Sequence, residues 1–358
     1  MLKTPLEQMN RPRGPAVTVL MPAYNVERYI SQAIESILAQ TFGDFELLVI
    51  DDASTDNTLE IVNSFTTDSR LRVVRQKHNL GRPATRNHGL DIAAGNYIAF
   101  LDADDHCAPE RLARQVAFLN DNPDIGGVGS WKTWIDADGL ASDEIRRFPV
   151  DPDDIACKMI RECTLGQTSL MIRREALGSY RYDTEFAYSE DYELWARMII
   201  TTRFANLPEP LTYYRRHAEQ SISAHKDDQK IATLTIYAKQ IDKLGVHYNN
   251  ADLNRHERLL KFSSRESVQR HTGAPLDIHY LRWANDWLSA LQQGNACARL
   301  YPEPAFSCLL AACWLFTARK AIRYGGLLQV LHAVGTSRLT RFAFSHPIKT
   351  LERLRTSK

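Results

Sequence analysis

Ten residues, Tyr97-Ile98-Ala99-Phe100-Leu101-Asp102-Ala103-Asp104-Asp105-His106, constrain the fold of this chain more than any other stretch. The run starts apolar and ends with three carboxylates within four residues. A segment this apolar predicts a strand buried on both faces, as in a parallel sheet. Clustered carboxylates repel one another and are costly to bury. They fit best where the strand leaves the sheet, holding a divalent cation. Hard oxygen ligands suit Mg2+ or Mn2+, which bridge a protein carboxylate to a substrate phosphate. The plain alternative is a polar loop with an Asp N-cap for a helix from Pro109.

The residues before this stretch repeat one pattern. Val17–Met21 predicts a strand, stopped by Pro22-Ala23-Tyr24-Asn25. Glu27–Gln40 has helical spacing, with Ile30, Ala33, Ile34, Ile37 and Leu38 on one face. Phe45–Ile50 predicts a second strand, ending in Asp51-Asp52-Ala53-Ser54, and Ser54–Thr58 supplies N-cap residues for a helix through Phe65. Leu71–Val74 predicts a third strand, Asn79-Leu80-Gly81 a turn, and Ala84–Ala94 a helix closed by Gly95. The sum is β-α-β-α-β-α-β with short connections, an α/β chain with a Rossmann-like, mostly parallel sheet flanked by helices. Ligands of such sheets bind beyond the carboxyl ends of the strands, where the polar clusters Pro22–Asn25, Asp51–Ser54 and Asp102–Asp105 fall. No G-x-G-x-x-G follows the first strand and no P-loop occurs, which argues against a dinucleotide site or a phosphate cradle of that kind.

Four segments in order, P-A-Y-N (22–25), D-D-A-S-T-D-N-T (51–58), N-L-G-x-P-A-x-R-N-x-G (79–89) and F-L-D-A-D-D (100–105), resemble family 2 glycosyltransferases of the GT-A fold. The resemblance covers about residues 15–220. It implies a nucleotide-diphospho-sugar donor, with UDP favoured, and a Mn2+ or Mg2+ ion on Asp104. Pro22 and Tyr24 are expected to line the base pocket, beside Asn25, and Asp52 to accept from the base ring NH. Arg86 is expected near the base or diphosphate and Asp102 on the ribose or sugar side, with Asp105 orienting the site. The plain alternatives are a helix cap for Asp52, a surface helix residue for Arg86 and a loop residue for Asp105.

Ile125–Trp131 predicts another strand, Asp136–Glu144 a hairpin loop, Leu165–Arg173 a strand and Arg174–Leu177 a short helix. Ser189-Glu190-Asp191 opens an amphipathic helix, where acids are favoured by the helix dipole whatever else they do. E-D-x-E-L-W (190–195) is similar to the family's acceptor-side motif, which implies Asp191 as general base and Glu190 beside the substrate. Trp195 reads as core rather than a sugar platform. Leu211–His217 predicts a strand ending in basic residues. With Ser221-Ile222-Ser223 it resembles a family loop over the diphosphate, so Arg215, Arg216 and His217 are expected to neutralise leaving phosphates. His217 as metal ligand and a solvated charge run remain alternatives.

From Lys230 onward the periodicity is helical: Ile231–Leu244, His256–Gln269, Ile278–Leu291, Pro304–Arg323 and Gly326–Val334. The expected organisation is a flexible 1–15, a GT-A domain over 16–225 and a helical region over 226–358 able to associate with membrane. Residues 301–358 carry nine Lys or Arg against Glu303 and Glu352, with aromatic and leucine side chains interleaved. That suits peripheral contact with an anionic inner membrane, or a solvated tail. Ala305–Thr317 is the longest apolar run and falls short of a span, so a buried helix is expected. A net charge of +1 gives no footprint for nucleic acid. The polar start, Met1–Ala16, lacks a secretory h-region, and six cysteines without CxxC spacing fit a reducing cytoplasm. The implied activity is inverting transfer of a sugar to a hydroxyl of a saccharide or lipid-linked acceptor in polysaccharide biosynthesis. The alternatives are a non-catalytic nucleotide-sugar-binding module and a nucleotidyltransferase, the latter lacking its Gly-rich loop. No Q-x-x-R-W motif supports processive synthesis.

Overall fold

The computed structural model describes residues 14–217, 226–261, 277–325 and 327–355. The expectations for a flexible N-terminal stretch, for Ser221–Ser223, for the end of the 256–269 helix and for Gly326 lie outside the described residues, apart from 14 and 15. The chain divides into two compact units, Met1–Phe148 with Leu165–Leu194 and Thr202–Gln220, and Pro149–Thr164 with Trp195–Thr201 and Ser221–Lys358.

In the first unit β1 (Val17–Ala23), α1 (Ile30–Leu38), β2 (Phe45–Asp51), α2 (Thr58–Ser64), β3 (Leu71–Arg75), α3 (Arg82–Ile92) and β4 (Tyr97–Phe100) follow the expected alternation. The strands lie parallel in the order β3-β2-β1-β4. Leu20 stands opposite Leu48 on one side and Phe100 on the other. Val17, Val19, Leu20 and Met21 are fully buried, as β-branched and long aliphatic side chains should be in a sheet covered on both faces. Each such side chain contributes about 1.5–3 kcal/mol on leaving water. The shared direction brings the ends of β1, β2 and β4, with their polar clusters, to one edge.

Past β4 the order is β5 (His106–Cys107), α4 (Arg111–Asp121), β6 (Gly127–Ile135), β7 (Ala141–Arg146), α5 (Pro152–Lys158), β8 (Met171–Arg173), α6 (Arg174–Leu177), α7 (Glu190–Met198) and β9 (Phe204–Arg215). The sheet continues β4-β8-β6-β9-β5, with β7 on β6. β8 is antiparallel to β4 and β6, so the sheet is mixed, while β6 and β9 are parallel.

Two local expectations fail for physical reasons. Most of 165–170 is not strand: Gln167–Ser169 forms a 3-10 turn whose Ser169 hydroxyl and amide both donate to the Gly166 carbonyl (2.9 Å). Only Met171–Arg173 joins the sheet. The stretch 136–144 is not all loop. Asp136 Oδ1 accepts the amides of Asp138 (3.0 Å) and Leu140 (2.9 Å), and Gly139 takes φ +88°, so the turn is tight and β7 starts at Ala141. β7 is mostly polar and exposed, with only Ile145 half-buried, which leaves little alternation for periodicity to detect.

The second unit is helical. It holds α5, capped by Asp151 accepting the Asp154 amide (3.0 Å), together with α8 (Lys226–Lys243), α9 (Asn250–Lys261), α10 (Ile278–Ala298), α11 (Ala305–Gly325), α12 (Leu327–Thr336), α13 (Arg338–Ser345) and α14 (Pro347–Arg355). α5, α10, α12, α13 and α14 all pack on α11. One window of α11, Ala305–Ile322, is after all long and apolar enough to cross a membrane by length and composition. It is 67% buried, with Phe306, Leu310 and Trp314 fully enclosed, which is the burial of a core helix.

Candidate active site

The site is built from loops at the carboxyl edge of the sheet. After β1 and β2 the chain is stitched by side chains. Asn25, at φ +49°, accepts the Thr55 amide on Oδ1 (2.9 Å), and the Asn25 amide donates to Ser54 Oγ (3.1 Å). Val26 and Glu27 donate amides to Thr58 Oγ1 and Asp56 Oδ2. Pro22 is half-buried within β1 itself. Tyr24 projects from the end of that strand with 45% of its surface exposed, an aromatic face open for stacking.

Asp52 is buried, and its carboxylate organises the next loop. Oδ1 accepts from Gln76 Nε2 and the Leu80 amide (both 2.8 Å), and Oδ2 from the Gly81 amide (3.0 Å). Gly81 sits at φ +81°, a left-handed conformation that favours glycine. This explains the N-L-G sequence. Asp52 is therefore a loop organiser whose Oδ2 still has acceptor capacity.

α3, which follows that loop, grips the segment carrying Glu190 and Asp191. Arg82 donates to the Ala187 carbonyl (2.9 Å), and Asn87 exchanges two hydrogen bonds with the Tyr182 backbone (2.8 and 2.9 Å). Arg86 is buried at the centre, donating Nη2 to Asp102 Oδ1 (2.7 Å) and Nη1 to Glu190 Oε1. Burial alone would lower the Arg86 pKa. Asp102 and Glu190 more than reverse this and hold the guanidinium charged. Burial would likewise raise Asp102, but Arg86, with help from Arg82 and Lys132, holds it below the usual carboxylate range. Burial pushes the Glu190 carboxyl upward against Arg86 and Arg82. Arg86 and Glu190, two expected substrate contacts, are thus each other's partners.

Asp191 stands in the first turn of α7, half-buried. Its Oδ1 accepts the Tyr192 amide (2.8 Å), and its second oxygen has no protein hydrogen-bond partner among the described residues.

The three carboxylates after β4 meet different surroundings. Asp104 Oδ2 lies 3.1 Å from His217 Nε2. Asp105 is buried, accepts the Arg215 amide on Oδ1 (2.9 Å) and has no partner for Oδ2 among the described residues. Burial first, then the like charges of Asp104 and Asp102, push its pKa well above the ordinary value. Arg215 faces inward: its side chain donates to the carbonyls of Asp104 (2.7 Å), Asp136 and Ala137 (both 3.1 Å) and to Gln32, and stacks on Tyr29. That guanidinium holds the backbone of the site together. Arg216, by contrast, is exposed, lying over Trp134 at 3.5 Å.

Asp104 and His217 supply a hard oxygen and an imidazole nitrogen at a spacing a divalent cation could replace. No group of three His, Cys, Asp or Glu suited to a metal occurs among the described residues. The donor set thus fits an open site completed by a ligand's own oxygens rather than a closed cage.

Sequence reasoning missed Arg82 and Lys132. Arg82 lies one turn before Arg86, a spacing that places both on one helix face. Lys132 is a lone cation in the apolar strand β6, buried, and its charge acts on Asp102 and Asp105. A Cβ at Gly166 would come within 2.3 Å of Lys132 Cε, so that glycine gives the lysine its room.

Comparison with known proteins follows the same lines. The model of "Glycosyl transferase family 2" matches residues 18–181. The UDP-Glc:alpha-D-GlcNAc-diphosphoundecaprenol beta-1,3-glucosyltransferase WfaP of Escherichia coli is 30% identical over 213 residues, covering 59% of this chain and 80% of that protein. The crystal structure of S. aureus TarS in complex with UDP-GlcNAc superposes with a TM-score of 0.53 at 18% identity, over 92% of each chain. The mannosyltransferase PcManGT from Pyrobaculum calidifontis, solved with GDP-Man and Mn2+, gives 0.51 at 18%, over 94% of this chain and 87% of that one. These likenesses identify the fold as GT-A with a C-terminal helical region.

Proposed function

Because the chain belongs to glycosyl transferase family 2, we propose that it moves a sugar, with inversion, from a UDP-sugar to a hydroxyl of a saccharide or lipid-linked acceptor in polysaccharide biosynthesis. The observation that carries this reading is the link Asp102–Arg86–Glu190, which ties the carboxylate edge after β4 to the helix start bearing Asp191. A family relative acting on a diphosphoundecaprenol-linked sugar and a neighbour solved with UDP-GlcNAc support the acceptor and donor classes.

In this mechanism Tyr24 stacks on the base, with Pro22, Asn25 and Asp52 shaping its pocket, and Asp102 takes the ribose or sugar side. Asp191 accepts the acceptor hydroxyl proton as that oxygen attacks C1. The C1–O bond to the diphosphate breaks, the nucleoside diphosphate leaves, and the anomeric carbon inverts. Asp104 and His217 would hold Mn2+ or Mg2+, whose chemistry is to neutralise the leaving diphosphate. Arg86 and Arg215 position these groups. A nucleotide-sugar donor and cysteines outside any disulfide fit a reducing cytoplasm.

Thermal stability against UDP, GDP and TDP, each with and without Mn2+, tests the donor site. A ligand at about 100 times its Kd stabilises the fold by about 2.7 kcal/mol. The expected result is a metal-dependent upward shift with UDP that Asp104→Ala abolishes. A shift with another nucleotide corrects the donor alone. No shift with any nucleotide overturns the reading.

A further inference from the structure

We infer that the outer face of α12–α14 is a docking surface for an anionic phospholipid bilayer. Of the twelve strongly exposed large apolar side chains among the described residues, seven lie between Ile322 and Leu351. Of these seven, Leu328 (81% exposed), Phe344 (79%) and Ile348 (71%) are the most open. Scattered exposed leucines need no explanation, but a concentration of them does.

The cluster follows from how these helices sit on α11. Val330, Leu339, Ala343 and Thr350 are buried, and Trp314 on α11 donates its indole N–H to Thr340 (2.9 Å). The positions left outward include apolar and cationic side chains, among polar ones such as His332, Thr336 and Ser345. Leu328 and Leu331 recur along α12, Arg341 and Phe344 along α13, and Ile348 and Leu351 along α14, each pair at helical spacing. Arg338 and Lys349 are exposed beside them.

Charge selects the occupant. The helices α12–α14, Leu327–Arg355, contain five Lys or Arg against Glu352 alone, in a chain whose net charge is only +1. A second copy meeting this face through a two-fold axis would set cation against cation. Nucleic acid would leave the apolar side chains without a role. An anionic bilayer uses both kinds of group: Lys and Arg meet headgroups while Leu, Ile and Phe enter the acyl boundary. The inference stands apart from the catalytic reading, because vesicle binding requires no turnover.

Sedimentation of the full chain with vesicles tests it, using phosphatidylcholine alone and with phosphatidylglycerol added. Binding is expected only to the anionic vesicles and is expected to weaken as salt rises. Removing one surface cation should weaken partitioning about fivefold, and Arg338→Ala/Arg341→Ala/Lys349→Ala together about a hundredfold. Leu328→Ser/Phe344→Ser should weaken it by roughly tenfold or more without lowering the melting temperature, since both side chains are exposed. Equal binding to neutral vesicles, or no binding to either, overturns the proposal. So does concentration-dependent self-association that the Leu328→Ser/Phe344→Ser variant abolishes without any change in vesicle binding.

Discussion

The two units use their buried polar groups differently. The first unit buries charges: Arg86 between Asp102 and Glu190, Asp105 beside Asp104, and Arg215 under the β4 loop. Some of these atoms keep capacity for a ligand, such as Asp105 Oδ2 and His217 Nδ1. The second unit buries Lys158 and Arg161 as well, but its most enclosed contacts join largely neutral groups that satisfy one another. His256 accepts from Trp287 Nε1 on Nδ1 (2.9 Å) and donates from Nε2 to the Ile160 carbonyl (3.1 Å). Asn295 joins Tyr301 and Glu303, and Tyr301 meets Gln240 (3.0 Å). A buried ionic group with unused hydrogen-bonding capacity marks chemistry, whereas a closed neutral network marks packing.

The sharpest way to break this contrast is Asp191→Asn. If the first unit's charges serve transfer, turnover should fall by about two to four orders of magnitude, the usual worth of a positioned general base. Donor-induced stabilisation should persist, because Asp191 is assigned to the acceptor. Full turnover in the variant would remove Asp191 from the mechanism.

Arg86→Met comes next. It strands Asp102 and Glu190 without their buried cation, and breaking such a pair from one side costs about 3–5 kcal/mol. Denaturant midpoints should show that loss, and Arg86→Met/Glu190→Gln should recover part of it by removing a stranded charge. Additive losses in the two single variants and the double would mean the contact carries no coupling.

How much of this was legible follows from where each interaction sits in the sequence. The strand Tyr97–Phe100 and its acidic exit are contiguous, so burial and charge could be read together. The N-L-G turn was legible for the same reason. Arg86 and Glu190 lie 104 positions apart, and no local pattern shows that they meet. Motif resemblance put both at the site, but as substrate contacts rather than partners. Arg215 stood in a basic run, and only the fold shows it turned inward to four acceptors while Arg216 stays outside. The strand expected over 165–170 failed because side chains from α4 compete for its backbone: Gln115 Nε2 donates to the Ser169 carbonyl (2.8 Å).

pH separates the units a third way. Burial lowers the His256 pKa to about 4, well under its ordinary value. Between about pH 6.5 and 4 the unfolded chain binds a proton that the folded one refuses, so stability falls with pH by up to about 3 kcal/mol across that window. His256→Gln removes the titration. Its urea midpoint should drop less than the parent's between neutral and acid pH. Parallel losses would assign the acid sensitivity to other groups.

The smallest effect distinguishes space from backbone conformation. Gly89 lies in α3, and a Cβ there would stand 2.2 Å from Leu20 Cδ1 and 2.9 Å from Ile50 Cδ1, both on fully buried side chains. Alanine is the better helix former by about 1 kcal/mol, but overpacking a closed core costs about 1–3 kcal/mol. Gly89→Ala should therefore lose about 1 kcal/mol. Gly245 in the second unit is the reverse case. It follows α8 at φ +68°, where an added Cβ would meet no described residue within 4 Å, and its amide donates to the Asp242 carbonyl (2.9 Å). Gly245→Ala should also lose about 1 kcal/mol, from left-handed strain alone. Asparagine separates the two causes, since it tolerates that conformation but is larger than alanine. Gly245→Asn should melt closer to the parent than Gly245→Ala, and Gly89→Asn lower than Gly89→Ala. The same order at both positions would mean that one mechanism, space or strain, governs both glycines.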